Sequence, residues 1–162
     1  MNRTPIRRHP SLVALSKDHH FGLLLCWKIR TGFNRGISPG RMQNYVQYYF
    51  SEHLFDHFAW EERMVFTLLD EQDPLIKKAL SQHRKLRKLY NQLESKPEKC
   101  EVSLGLIEEL LENHIRFEER ELFNHIQEVC SEAALDKLGN EINNEHISFK
   151  DEWNDVFWDK KK

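Results

Sequence analysis

The sequence predicts an all-α protein, an up-down-up-down four-helix bundle with an additional C-terminal helix. Three observations carry that expectation. Glycine and proline are scarce, 6 and 5 in 162 residues, as in chains built of long helices. Apolar residues recur at helical spacing in four successive stretches, and no stretch alternates with the period of a strand. Two dipeptides, Ser38-Pro39 and Asp73-Pro74, pair an N-cap residue with a proline suited to the first helical position.

The first helix is expected from about Ser11 to Thr31, with Leu12, Leu15, His19, Leu23 and Cys26 on one face. Gly32, Asn34 and Gly36 end it. The second starts at Ser38-Pro39 and runs to about Leu69, its stripe carrying His53, His57, Trp60, Glu61 and Met64. The third starts at Asp73-Pro74 and reaches about Glu94, with Ile76, Ala79, His83 and Leu86 on one face. A polar loop with Pro97 leads to the fourth helix, which begins near Ser103 and passes His125. Its stripe holds Ile107, Leu111, His114, Phe117 and Glu118. A fifth helical segment is expected over about 131–158, with a break at Gly139-Asn140. It carries Leu135, Leu138, Ile142, Phe149, Trp153 and Phe157, and packs outside the bundle or closes one end.

Residues 1–162 read as one domain with a core bundle over about 11–127, long enough to bury a core. A net charge of -2 arises from 24 basic and 26 acidic residues without a basic block, so no nucleic-acid partner is expected. Cys26, Cys100 and Cys130 form no CxxC pair and read as reduced thiols. The N-terminus lacks a signal-peptide pattern, and the apolar run 21–27 is too short to span a bilayer. A cytoplasmic protein without a membrane partner is the expectation.

One motif occurs twice. His57-Phe58-Ala59-Trp60-Glu61-Glu62-Arg63 returns as His114-Ile115-Arg116-Phe117-Glu118-Glu119-Arg120. Residues four apart on a helix differ by about 40° in direction, so His57 points with Glu61 and His114 with Glu118. Glu62 and Glu119 point roughly 100° away and read as solvent or ion-pair carboxylates. A bare carboxylate on an otherwise apolar stripe is costly to bury, and two such stripes call for a compensating cation. His19 and His83 add one inward imidazole from each remaining helix. His19 is preferred to His20 because Leu12, Leu15, Leu23 and Cys26 share its side. The expected metal ligands are therefore His19, His57, Glu61, His83, His114 and Glu118.

Imidazole and carboxylate together suit iron, manganese or zinc. Two bridging carboxylates favour a pair of ions. Four imidazoles and two bridging carboxylates fill about eight of the roughly twelve positions of two octahedral ions. A solvent-derived oxo or hydroxo bridge fills two more, which leaves about one open position per ion.

These elements resemble the hemerythrin-like family, also called the HHE cation-binding domain. The resemblance rests on Asp18-His19-His20, His57-x-x-x-Glu61, His83 and His114-x-x-x-Glu118, in that order over about residues 11–127. It implies a four-helix bundle holding a non-haem di-iron centre, with two iron ions rather than manganese or zinc. Oxygen or nitric oxide binding, sensing and stress roles go with it. The chain departs from the oxygen-carrying members, which use five histidines and an aspartate in the fourth-helix motif. A centre more open and reactive than an oxygen store follows. His20 or His53 is the candidate for a fifth histidine, His53 being favoured by its place one turn before His57.

The function expected is therefore binding of oxygen, nitric oxide or peroxide, for sensing, detoxification or iron handling, rather than dedicated enzymatic turnover. A di-metal oxidase, peroxidase or nitric oxide reductase is the alternative. A third reading is a regulatory bundle whose metal controls the aromatic C-terminal segment.

Overall fold

Residues 7–160 are described by a computed structural model, and five helices dominate them. A 3-10 turn, Pro10–Leu12, leads into α1, Val13–Asn34. Helix α2 spans 39–68 and is not uniform. It contains two wide π turns, Phe50–Leu54 and Glu61–Val65, and ends in a 3-10 turn, Phe66–Leu68. Helix α3 is Pro74–Ser95. Helix α4 spans 100–129 and contains one π turn, Glu118–Leu122. Helix α5 is Glu132–Glu145. No strand occurs among the described residues, and the all-helical bundle is as the sequence predicts.

The start signals act by different means. Asp73 accepts a hydrogen bond from the Leu75 amide and caps α3. Ser38 makes no such bond, so α2 starts on the fixed φ of Pro39. Gly36, with φ of 66°, makes the turn after α1. Gly32 stays helical, and a Cβ there would meet Met42 Sδ at 2.3 Å. Its role is close approach, not termination.

Helices α1 and α3 both pack along α4. The core has two apolar layers. One holds Leu25, Ile29, Val46, Phe50, Leu86 and Leu111. The other holds Leu15, Trp60, Met64, Ala79, Phe117 and Leu122. Between them along each of the four helices lie the buried polar residues His19, His57, Glu61, His83, His114 and Glu118.

The C-terminal segment departs from expectation in two ways. Helix α5 runs unbroken through Gly139, where a Cβ would press on Ser11 Cα at 3.3 Å. The glycine permits contact with the Pro10–Leu12 turn. The helix then ends at Glu145, and 146–159 is an irregular strap instead of more helix. Ser148, Asp151, Asn154 and Asp155 favour local backbone hydrogen bonds over helix, and the aromatic residues find separate seats on the bundle. Phe149 lies against Phe21, Tyr49 and His53. Phe157 is buried against Tyr45.

The strap is pinned by a buried cation. Lys28 donates to Asp151 and to the Tyr45 hydroxyl, both at 2.8 Å. It also lies 3.9 Å from the Trp158 ring centroid. Burial lowers the Lys28 pKa, and Asp151 opposes that shift. Replacing Asp151 with Ala leaves a buried ammonium with only a phenol oxygen and aromatic faces. This should destabilise the protein by about 1–3 kcal/mol, read from urea unfolding, and release Trp153 and Trp158 fluorescence to solvent. Unchanged stability and emission would show that the aromatic seats alone hold the strap.

Candidate metal centre

Glu61 and Glu118 are fully buried. Each stands at the first residue of a π turn, in the two copies of the same motif. Such turns are rare and concentrate at functional sites. The four imidazoles converge on these carboxylates through Nε2. His57 Nε2 lies 3.1 Å from Glu61 Oε2, and His19 Nε2 lies 3.0 Å from Glu118 Oε1 and 3.7 Å from Glu61 Oε2. On the other side His83 Nε2 is 3.2 Å from Glu61 Oε1, and His114 Nε2 is 3.3 Å from Glu118 Oε2.

The two carboxylates thus each face both ways. One group is His19, His57, Glu61 and Glu118; the other is Glu61, His83, His114 and Glu118. Within each, the ligand atoms lie within 4.8 Å of one another, close enough for one metal ion. All six sequence-predicted residues fall in these groups.

Hydrogen bonding does not satisfy this cluster. All four carboxylate oxygens, with His19 Nε2 and His57 Nε2, are buried without a hydrogen-bond partner. They are near each other but misaligned as donors and acceptors. The Nε2 atoms of His83 and His114 lie 3.2 Å apart, while their Nδ1 atoms point at the acceptors Glu62 and Gln82, which leaves Nε2 as the atom each offers to a cation. Orphan carboxylates among imidazole nitrogens fit a site that takes cations.

The outer bonds form a closed ring. His57 Nδ1 on α2 donates to Asp18 on α1 at 2.9 Å. His83 Nδ1 on α3 donates to Glu62 on α2 at 2.6 Å. His114 Nδ1 on α4 donates to Gln82 on α3 at 2.5 Å. His19 Nδ1 on α1 donates to Glu119 on α4 at 2.7 Å. Each acceptor is the sequence neighbour of an inward residue on its own helix. The offset of roughly 100° between neighbours turns it toward the next helix. Arg87 holds Glu62, while Ser16 and Arg8 hold Glu119.

Glu62 and Glu119 are therefore half-buried acceptors for His83 and His19, not simply solvent-facing groups. Their presence in both motif copies was the available signal. The sequence offered no signal for His146, which reaches from the strap to Asp18 Oδ2 at 2.9 Å. Glu121, one turn past Glu118, is exposed. His20 is exposed as well. His53 is buried, but its Nε2 faces Asp18 at 3.6 Å rather than the two glutamates. Neither joins the groups around Glu61 and Glu118.

At His19, His57 and His83 burial resists the charged form, but neighbouring carboxylates win. Glu118, Glu119 and Glu61 lift His19 well above the usual range. Glu61 and Asp18 lift His57 to about 9. Glu61 and Glu62 raise His83. Burial alone would raise Glu61, yet the imidazoles hold it well below the usual range. A small cavity of about 10 Å³ adjoins the cluster, lined by Asp18, His19, His57, His114, Gly22, Tyr49 and apolar side chains.

The family model described as the Hemerythrin HHE cation binding domain matches residues 28–126, more than half of the chain. His19 lies outside that match and stands on geometry alone. No curated protein and no solved structure matches the chain. No helix among the described residues is long and apolar enough to cross a membrane.

Two outcomes follow from this geometry. Folded imidazoles with raised pKa values contribute stability below their usual 6.5, and that stability is lost as pH rises through the folded values, about 9 for His57. In chelator the thermal midpoint should therefore fall between pH 6.5 and 9. With metal added the fall should disappear, because ions displace the protons. A flat or rising midpoint in chelator would contradict the assignment. Separately, Glu62→Gln and Glu119→Gln should each weaken metal binding about 10–100-fold in chelator competition. Glu121→Gln should leave it unchanged.

Proposed function

Because the chain belongs to the Hemerythrin HHE cation binding domain family, we propose that it is a non-haem di-iron protein binding a small ligand, oxygen, nitric oxide or peroxide. Its role is sensing, detoxification or iron handling. The observation that carries this reading is the pair of four-residue groups sharing Glu61 and Glu118. A carboxylate facing two groups suits two ions, and mixed imidazole and carboxylate donors suit iron. When bound, a pair of iron ions would supply redox-active centres for a diatomic or peroxide ligand.

The chain's own residues supply the rest. His19, His57, His83 and His114 present Nε2 as ligand atoms, oriented by the outer ring. Apolar layers on either side exclude water. The cavity of about 10 Å³ is near the minimum for one water-sized occupant, which favours a diatomic over a metabolite. Three free thiols fit a reducing cytosol.

Metal analysis of anaerobically purified protein should give close to two irons per chain. The oxidised protein should show charge-transfer bands that shift with azide. A stoichiometric zinc site, or metal-free protein with the same stability, would overturn the reading. Glu61→Ala should cost both ions, because both groups share that residue, whereas His83→Ala should weaken one ion more than the other.

A further inference from the structure

Tyr49 is buried at 1% exposure, and none of the hydrogen bonds among the described residues involves its hydroxyl. The ring is seated against Phe50, His53 and Phe149. The hydroxyl end reaches α1 at Gly22, where a Cβ would lie 3.5 Å from it. Both residues line the small cavity, together with His19, His57 and His114. The hydroxyl is the polar end that the ring presents to this cavity, where it can donate to an occupant. The rest of the cavity wall is Asp18, already engaged by His57 and His146, and the apolar Leu54, Phe58, Leu111 and Ile115.

We propose that the Tyr49 hydroxyl is the hydrogen-bond donor to the small anionic or diatomic ligand that enters this cavity beside the metal ligands. The inference rests on the di-iron reading and adds to it the residue that recognises the ligand. A Cβ at Gly22 would come within 2.5 Å of Ile115 Cδ1, so a larger residue would push the Ile115 side chain aside at the cavity wall. Burial, with Asp18 and Cys26 nearby, raises the phenol pKa well above its usual 10.0, which keeps the proton on the oxygen. An acceptor atom at the ligand's outer end is therefore required. Azide and peroxide have one; a carbon or sulfur terminus pairs poorly.

The probe is azide on the oxidised, iron-loaded full chain, compared with Tyr49→Phe, which keeps the ring and its packing. Iron content is measured first in both. The variant should hold as much iron as the wild type and bind azide at least roughly tenfold more weakly. The antisymmetric stretch of bound azide should shift in D2O for the wild type and not for the variant, a difference that packing alone would not produce. Equal affinity and equal isotope response, with iron retained in both, would overturn this inference and leave the di-iron reading intact. Loss of iron in Tyr49→Phe would also overturn it, since a ligand donor is not needed to hold the ions. A wild type that binds no iron pair would overturn the di-iron reading itself, and this inference with it.

Discussion

Two carboxylates buried among four imidazoles are the constraint on which the rest of the structure depends. Glu61 and Glu118 have no exposure and no hydrogen-bond partner for any of their four oxygens. Unpaired charges in such surroundings cost several kcal/mol each. Positive charge must meet them, from protonated histidines in the metal-free chain or from ions in the loaded one. Each of the four bundle helices contributes at least one of the six groups, so the charge balance and the bundle assemble together. The polar layer sits between two apolar ones, which keeps water out and makes the compensation necessary.

The outer ring explains how six side chains from four helices hold one geometry. A long helix fixes the height of a residue well but not the rotation of an imidazole about its own bonds. Here each imidazole is held at Nδ1 by the next helix in the cycle, through Asp18, Glu62, Gln82 and Glu119. The neighbour of an inward residue thus acts outward from its own helix and inward on another. Three of the four acceptors are carboxylates, which strengthen the ring nitrogen as a ligand, and Gln82 is neutral. The two candidate groups therefore differ in what stands behind their imidazoles. The strap joins this network through His146 on Asp18 and through Phe149 on Tyr49 and His53. It couples the far C-terminus to one side of the centre.

Much of this was legible in the sequence. Period and caps placed four helices to within a few residues. Spacing selected Glu61 over Glu62 and Glu118 over Glu119 as the inward carboxylates. Preference for the apolar side selected His19 over His20. Features that depend on contacts between distant segments were less legible. The π turns at Glu61 and Glu118 leave no mark on apolar periodicity. Aromatic spacing in the last segment imitates a helix, although Phe149, Trp153 and Phe157 occupy separate seats on α1 and α2. Gly32 and Gly139 read as breakers and serve as points of close approach.

The sequence by itself determined the helices, their inward faces and the four imidazoles and two carboxylates that meet in the core, because these follow from the local period of one helix at a time. Only the tertiary structure decided which oxygen faces which imidazole, that Glu62 and Glu119 serve neighbouring helices, and that the C-terminus is a strap. Those outcomes depend on the rotation and separation of whole helices, and on where a long-range ion pair such as Lys28–Asp151 can form. No local pattern encodes such distances, since the partners lie far apart along the chain and meet only after packing.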